Sequence, residues 1–107
     1  MHNIMNFAVQ LLNGGSLKCG YWHAPLGRET DFPDDPIAQP LNAKKYPPLI
    51  FETLKEAVIA VEFYDSLYAD YHIEAKAVPV AEGVKATHRA TDDGFQAVPM
   101  GADTLFG

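Results

Sequence analysis

The segment TLKEAVIAVEFYDSLYAD, residues Thr53–Asp70, carries the longest regular apolar pattern of the chain. It begins with a capping box, in which the Thr53 hydroxyl accepts a hydrogen bond from the Glu56 amide and the Glu56 carboxylate reaches back to the Thr53 amide. We therefore predict a helix that begins at Thr53. No glycine follows to stop it, so its end is placed at about Asp70, to within one turn.

On a helical wheel, at about 100° per residue, the apolar side chains of this segment form a broad arc and a separate pair. The arc is expected to cover a sheet and contains Leu54, Ala57, Val58, Val61, Tyr64, Leu67, Tyr68 and Tyr71. Ile59 and Phe63 interrupt the opposite, polar side, and their spacing of four residues stacks them on each other. Because an exposed apolar patch usually marks an interaction site, we expect this pair to be covered, either by the proline-rich loop through Phe32 or Ile37 or by a second molecule.

Strand patterns surround the helix. Residues Asn6–Leu12 and Leu17–His23 alternate in character and flank Asn13-Gly14-Gly15-Ser16, a turn signal that predicts a β-hairpin. Leu49–Glu52 is predicted as a short buried strand. Tyr71–Val80 alternates apolar and polar residues and is predicted as a strand.

Two further features concern the second half of the chain. Pro79 marks either the end of the Tyr71–Val80 strand or an edge position, because proline cannot donate to a neighbouring strand. Val84–Thr91 and Phe95–Val98 flank Asp92-Asp93-Gly94 and predict a second hairpin. The segment 100–107 is expected to be a loose tail.

These elements predict an α+β fold in a single domain, residues 1–107: a small antiparallel sheet of four to five strands with one helix packed on one face. A long proline-rich loop, residues 24–48, interrupts the order. It contains six of the eight prolines, which exclude long regular elements. Its spaced apolar residues, Phe32 and Ile37 among them, favour a loop that packs on a surface over a mobile one.

The composition argues against several classes of function. Eight basic residues against fourteen acidic ones give a net charge of −6, whereas nucleic-acid binding requires a basic surface. The apolar runs are too short to span a bilayer, and the amino terminus lacks the features of a secretory signal. A single cysteine excludes an intrachain disulfide. We therefore expect a cytoplasmic protein that binds neither membranes nor nucleic acid.

Candidate chemistry is sparse. The four histidines show no metal-ligand spacing, so we expect no metal and no cofactor. Cys19 and His23 are too far apart along a strand to form a nucleophile pair, and Cys19 is predicted to be a small buried residue. Thr87-His88-Arg89 and Asp92-Asp93 bring acid, base and cation types together, but no sequence feature indicates a pocket there. Enzymatic function is therefore the less favoured reading.

The hypothesis that best fits these observations is a non-enzymatic, acidic binding module, for example an accessory or inhibitory factor. No motif identifies a family. The module would contact a protein partner, or a second copy as a homodimer, through Ile59 and Phe63 of the helix and Phe32 and Ile37 of the loop. The alternative is a small-molecule-binding protein or small enzyme. Its pocket would lie between sheet and loop and be lined by the aromatic residues Trp22, Tyr64 and Tyr68.

Overall fold

The structure is a computed structural model that describes residues 5–14, 17–23, 38–44 and 47–98. The predicted α+β class is confirmed: one helix packs on a five-stranded antiparallel sheet, and a separate two-stranded sheet follows. In chain order, the elements are β1 (Phe7–Asn13), β2 (Leu17–Trp22), β3 (Ala38–Gln39), β4 (Ile50–Phe51), α1 (Leu54–Leu67), β5 (Ile73–Pro79), β6 (His88–Thr91) and β7 (Gly94–Ala97).

Strand β1 is the centre of the main sheet. Along one side it pairs with β5 over its full length, from Phe7 opposite Pro79 to Asn13 opposite Ile73. Its other side is shared, because β4 pairs with its first two residues and β2 with its last four. Strand β3 adds to the outer side of β2. Strand β5 ends at Pro79, and among the described residues it pairs with β1 alone, so Pro79 marks both the end of the strand and an edge position.

The β1–β2 ladder contains a bulge. Leu11 pairs with Gly20 and Leu12 pairs with Lys18, so Cys19 is the extra residue. Simple alternation places Lys18 on the same face as Trp22, but the bulge separates them. Trp22 is buried, whereas Cys19 is exposed. The prediction of a buried Cys19 is therefore wrong, because the bulge turns this residue away from the core.

Helix α1 begins as predicted, with the Thr53 hydroxyl accepting the Glu56 amide at 3.2 Å. The second half of the predicted capping box differs. The Glu56 carboxylate accepts the Thr53 hydroxyl at 3.2 Å and the Ala90 amide of β6 at 3.0 Å. The helix ends at Leu67, within one turn of the predicted end, because the backbone of Tyr68 leaves helical geometry and the chain turns back towards β5.

The main core lies between the sheet and the helix. Its buried residues are Val9, Leu11, Trp22, Leu49, Phe51, Ala57, Ala60, Tyr64, Tyr68, Ala90 and Phe95. A smaller cluster of Ala8, Ile50 and Val80, with Tyr21, Leu41 and Val84 against it, forms a second apolar group. The sheet therefore contributes alternate residues to two apolar clusters.

The second predicted hairpin is confirmed as β6–β7, with Asp92 and Asp93 in its turn. It forms its own small sheet and does not extend the main one. Thr87, just before β6, fastens it to β4: its amide donates to the Ile50 carbonyl at 2.9 Å, and its hydroxyl accepts the Ile50 amide at 3.0 Å. This attachment places the hairpin beside helix α1.

Candidate protein-binding groove

The buried face of helix α1 is rotated from the predicted one. Leu54 and Val58 were expected to cover the sheet, but they are 51% and 44% exposed. Ile59 and Phe63, expected on the outer side, are half-buried and pack against the main core. The helix phase predicted from the sequence is therefore wrong by part of a turn. The helix turns the flank of Ile59 and Phe63 towards the β6–β7 hairpin.

The β6–β7 hairpin covers part of the flank that carries Ile59 and Phe63. The ring of Phe63 lies 5.2 Å from the ring of Phe95 in β7, between centroids. The hairpin therefore supplies part of the cover, a role that the sequence analysis gave to the proline-rich loop or to a partner. Phe32 and Ile37 of that loop lie outside the described residues.

The cover is incomplete, and a notch remains beside the pair. It has a volume of about 230 Å³ and is lined by Ile59, Glu62, Phe63, Ser66 and Asp92. A second cavity of about 390 Å³ continues from it towards the start of the helix and shares Ile59 and Asp92. Its other lining residues are Thr53, Lys55, Glu56, Arg89, Ala90 and Thr91. Together the two cavities form what we call the helix–hairpin groove.

Charges divide the groove into two ends. Glu62 and Asp92 line the notch together with Ile59, Phe63 and Ser66, and both carboxylates are exposed. Lys55 and Arg89 lie at the end near the start of the helix. Glu56 lies at this end too, but its carboxylate is already bonded to the Thr53 hydroxyl and the Ala90 amide. The groove thus offers carboxylates around the apolar side chains of Ile59 and Phe63 at one end, and cations at its far end.

The hairpin wall of the groove is held by partly buried polar contacts. The Thr87 hydroxyl lies 3.3 Å from the Pro48 carbonyl, to which it can donate, and 2.8 Å from Nδ1 of His88. Burial lowers the pKa of His88 from its ordinary value of 6.5. The imidazole is therefore neutral at physiological pH, and it packs at the hairpin base as an uncharged hydrogen-bonding group.

The three aromatic residues of the alternative ligand hypothesis lie together, but in the core. The Trp22 ring contacts those of Tyr64 and Tyr68 edge-on, with centroids 5.3 and 6.3 Å apart. The Tyr64 hydroxyl donates to the Ile73 carbonyl at 3.2 Å. Trp22 and Tyr64 are each 1% exposed. Among the described residues, the three rings pack against one another.

The electrostatics of Tyr64 agree with this packing. Burial, with smaller contributions from Tyr68, Asp65 and Cys19, raises its pKa to about 12. A phenol that resists ionisation is suited to a packed core and not to proton transfer near neutral pH. The predicted pocket between sheet and loop involves residues 24–37, which lie outside the described residues, so that hypothesis stays a prediction.

Two residues that hold the walls of the groove together, Glu56 and Phe95, were not singled out from the sequence as site residues. Glu56 was recognised only as a capping residue, although its position next to a helix start allows it to reach another element. Phe95 follows directly after the Asp92-Asp93-Gly94 turn, where a single large aromatic residue in a short strand was the available signal. It is completely buried and contacts Trp22, Phe51 and Phe63.

Within residues 5–14, 17–23, 38–44 and 47–98, no three His, Cys, Asp or Glu residues are arranged to hold a metal ion. No helix in that part of the chain has the length and apolar character needed to cross a bilayer. Comparison of the chain with protein-family models, curated proteins and solved structures gives no match.

Proposed function

We propose that this chain is a non-enzymatic, acidic binding module that holds an apolar side chain of a protein partner in the helix–hairpin groove. The observation that carries the proposal is the notch beside Ile59 and Phe63, bordered by the carboxylates of Glu62 and Asp92. Such a module would act in the cytoplasm as an accessory or inhibitory factor. Phe32 and Ile37 of the proline-rich loop are proposed to extend the same surface.

The size of the notch favours a side chain over a free small molecule. Sites for drug-sized ligands usually enclose about 300–1,000 Å³ and are largely apolar. The notch, at about 230 Å³, is smaller than this range. The neighbouring cavity is larger but is lined mainly by charged and polar residues. A protein segment suits both cavities, because it can insert one apolar side chain into the notch and place polar residues along the neighbouring cavity.

The charges indicate the sequence of that segment. Lys55 and Glu62 are seven residues apart on the helix, a separation of about 10 Å at about 1.5 Å per residue. An extended segment covers that distance with about three residues at about 3.3 Å each. We therefore expect an apolar anchor with a basic residue near Glu62 and an acidic residue about three positions away, near Lys55.

A random-peptide display library tests this proposal directly. The wild-type chain should enrich peptides with the apolar, basic and acidic pattern, and a synthetic peptide from that pool should bind measurably. Ile59→Asp should weaken binding of this peptide at least about tenfold, because it places a charge in the notch. Val58→Asp is the matched control, because Val58 is adjacent in sequence but lies on the other flank, and it should leave the affinity unchanged.

A charge reversal protects the test from a folding artefact. Glu62 is exposed, so Glu62→Lys should leave the fold intact, as circular dichroism can verify, while it removes the preference for the basic residue. Asp65→Lys makes the same charge change outside the groove and should leave the preference for the basic residue unchanged. No enrichment by the wild type, or equal binding by the Ile59→Asp and Val58→Asp variants, would overturn the proposal.

A further inference from the structure

Strand β5 is an exposed edge of unusual length for this sheet. It spans seven residues, Ile73–Pro79, and pairs only with β1 among the described residues. The opposite edge, β3, has two residues. A long edge strand presents a row of backbone donors and acceptors that can pair with another strand, and native proteins usually shorten, cover or pair such edges. Pro79 limits this edge only at its end.

We propose that two copies of this chain pair antiparallel through β5, which joins their sheets across a two-fold axis. A symmetric antiparallel pair places one residue opposite its own copy. The pattern of β5 selects Ala75 as that residue, because Glu74 then faces Lys76 of the second copy and Lys76 faces Glu74 of the second copy. Opposite charges directly across a strand pair stabilise the pairing, and the two-fold axis supplies two such pairs.

The neighbouring symmetric registers are less favourable. A centre at Glu74 places two carboxylates opposite each other, and a centre at Lys76 places two ammonium groups opposite each other. Like charges in this arrangement are destabilising. Both side chains are exposed, whereas Ile73, Ala75 and Ala77 alternate with them and pack towards the helix. The Ala75 register therefore matches charges on one face and apolar residues on the other.

The open flank of helix α1, which carries Leu54 and Val58, lies on the same side of the molecule as strand β5. Thr87 ties the hairpin to β4, and Phe63 packs on the hairpin, so the flank of Ile59 and Phe63 faces the β4 side of β1. Strands β4 and β5 pair with opposite sides of β1. The other flank, with the exposed pair Leu54 and Val58, therefore faces β5. Joining two sheets at β5 brings these flanks of both copies towards each other.

This inference concerns a surface separate from the helix–hairpin groove, so it can fail while the proposed function holds. The first measurement is the mass of the wild-type chain in solution by sedimentation or light scattering as a function of concentration. We expect a concentration-dependent approach to twice the chain mass of 11.8 kDa. A wild-type chain that remains monomeric at every concentration would overturn the inference.

Charge exchange at the seam identifies the register. Glu74→Lys alone and Lys76→Glu alone each place like charges opposite one another and should raise the dissociation constant at least about tenfold. The double variant Glu74→Lys/Lys76→Glu restores both opposite pairs and should recover the wild-type mass. An equimolar mixture of the two single variants should also dimerise, because the cations of one then face the anions of the other.

The helix variants separate the two surfaces. Val58→Asp should dissociate the dimer, and Ile59→Asp should leave it intact, which is the reverse of their expected effects on peptide binding. A dimer that persists in both single seam variants would contradict pairing through β5. The same conclusion would follow if Ile59→Asp dissociated the dimer and Val58→Asp did not, because the self-contact would then lie at the groove.

Discussion

The two flanks of helix α1 carry similar apolar pairs at the same spacing, yet they have different surroundings. Ile59 and Phe63 are partly buried beside the β6–β7 hairpin, whereas Leu54 and Val58 are exposed, at 51% and 44%. Nothing in the helix itself distinguishes the pairs. The difference comes from Phe95, a residue more than thirty positions later in the chain, which packs against Phe63. Amphipathic periodicity locates a helix, but the elements beside it decide which flank is covered.

The largest expected effect tests the covered flank. Phe95→Ala removes a completely buried ring that contacts Trp22, Phe51 and Phe63. We expect the free energy of unfolding in urea to fall by about 3–5 kcal/mol, the usual range for such truncations. The control on the open flank is Leu54→Ala, which should change it by at most about 0.5 kcal/mol. Equal losses in the two variants would show that both flanks are covered alike.

A smaller effect is expected where the helix start meets the hairpin. Glu56→Ala removes the acceptor of both the Thr53 hydroxyl and the Ala90 amide, and should lower the free energy of unfolding by about 1–2 kcal/mol. Glu62→Ala, on the same helix, should have little effect. Amide hydrogen exchange sharpens the test, because the Ala90 amide should lose protection in the Glu56→Ala variant. Unchanged protection would contradict the contact.

The smallest effect is a pH dependence of the covered flank. His88 has a pKa lowered by burial, so between its folded pKa and 6.5 the unfolded chain binds more protons than the folded chain. The folded state should therefore lose stability as the pH falls through 6.5. The measurement is the free energy of unfolding of wild type and His88→Gln from about pH 8 to about pH 5. The free energy of unfolding of His88→Gln should lack the part of the decrease that His88 causes. Parallel curves for wild type and variant would contradict a role for His88.

Much of the fold could be predicted because local patterns agree with the tertiary structure. The Asn13-Gly14 turn, the Thr53 cap and the Asp92-Asp93-Gly94 turn each predicted an element that the structure contains. These signals act within a few residues and depend on backbone conformations that particular side chains favour. The position of Pro79, at a strand end or a sheet edge, was predictable for the same reason, since a missing amide donor restricts where a residue can pair.

The site was less predictable, because its contacts join distant segments. The sequence singled out Ile59 and Phe63 as a surface that needs cover, but it assigned Leu54 and Val58 to the core. Correct placement requires the hairpin to be known as a separate sheet that is fastened to β4 by Thr87. A helical wheel contains no information on the β6–β7 hairpin. The error in helix phase arose because the hairpin, and not the helix sequence, determines which flank is covered.

The bulge at Cys19 has a consequence for how the chain tolerates change. Because Cys19 is an extra residue, the alternation of side chains between the two faces of the sheet changes phase within β2. The orientation of Trp22 therefore does not depend on which face the residues next to the β1–β2 turn occupy. Deleting Cys19 would restore a regular ladder without inverting Trp22. Position 19 of β2 can therefore be lost from the chain while Trp22 keeps its place in the core.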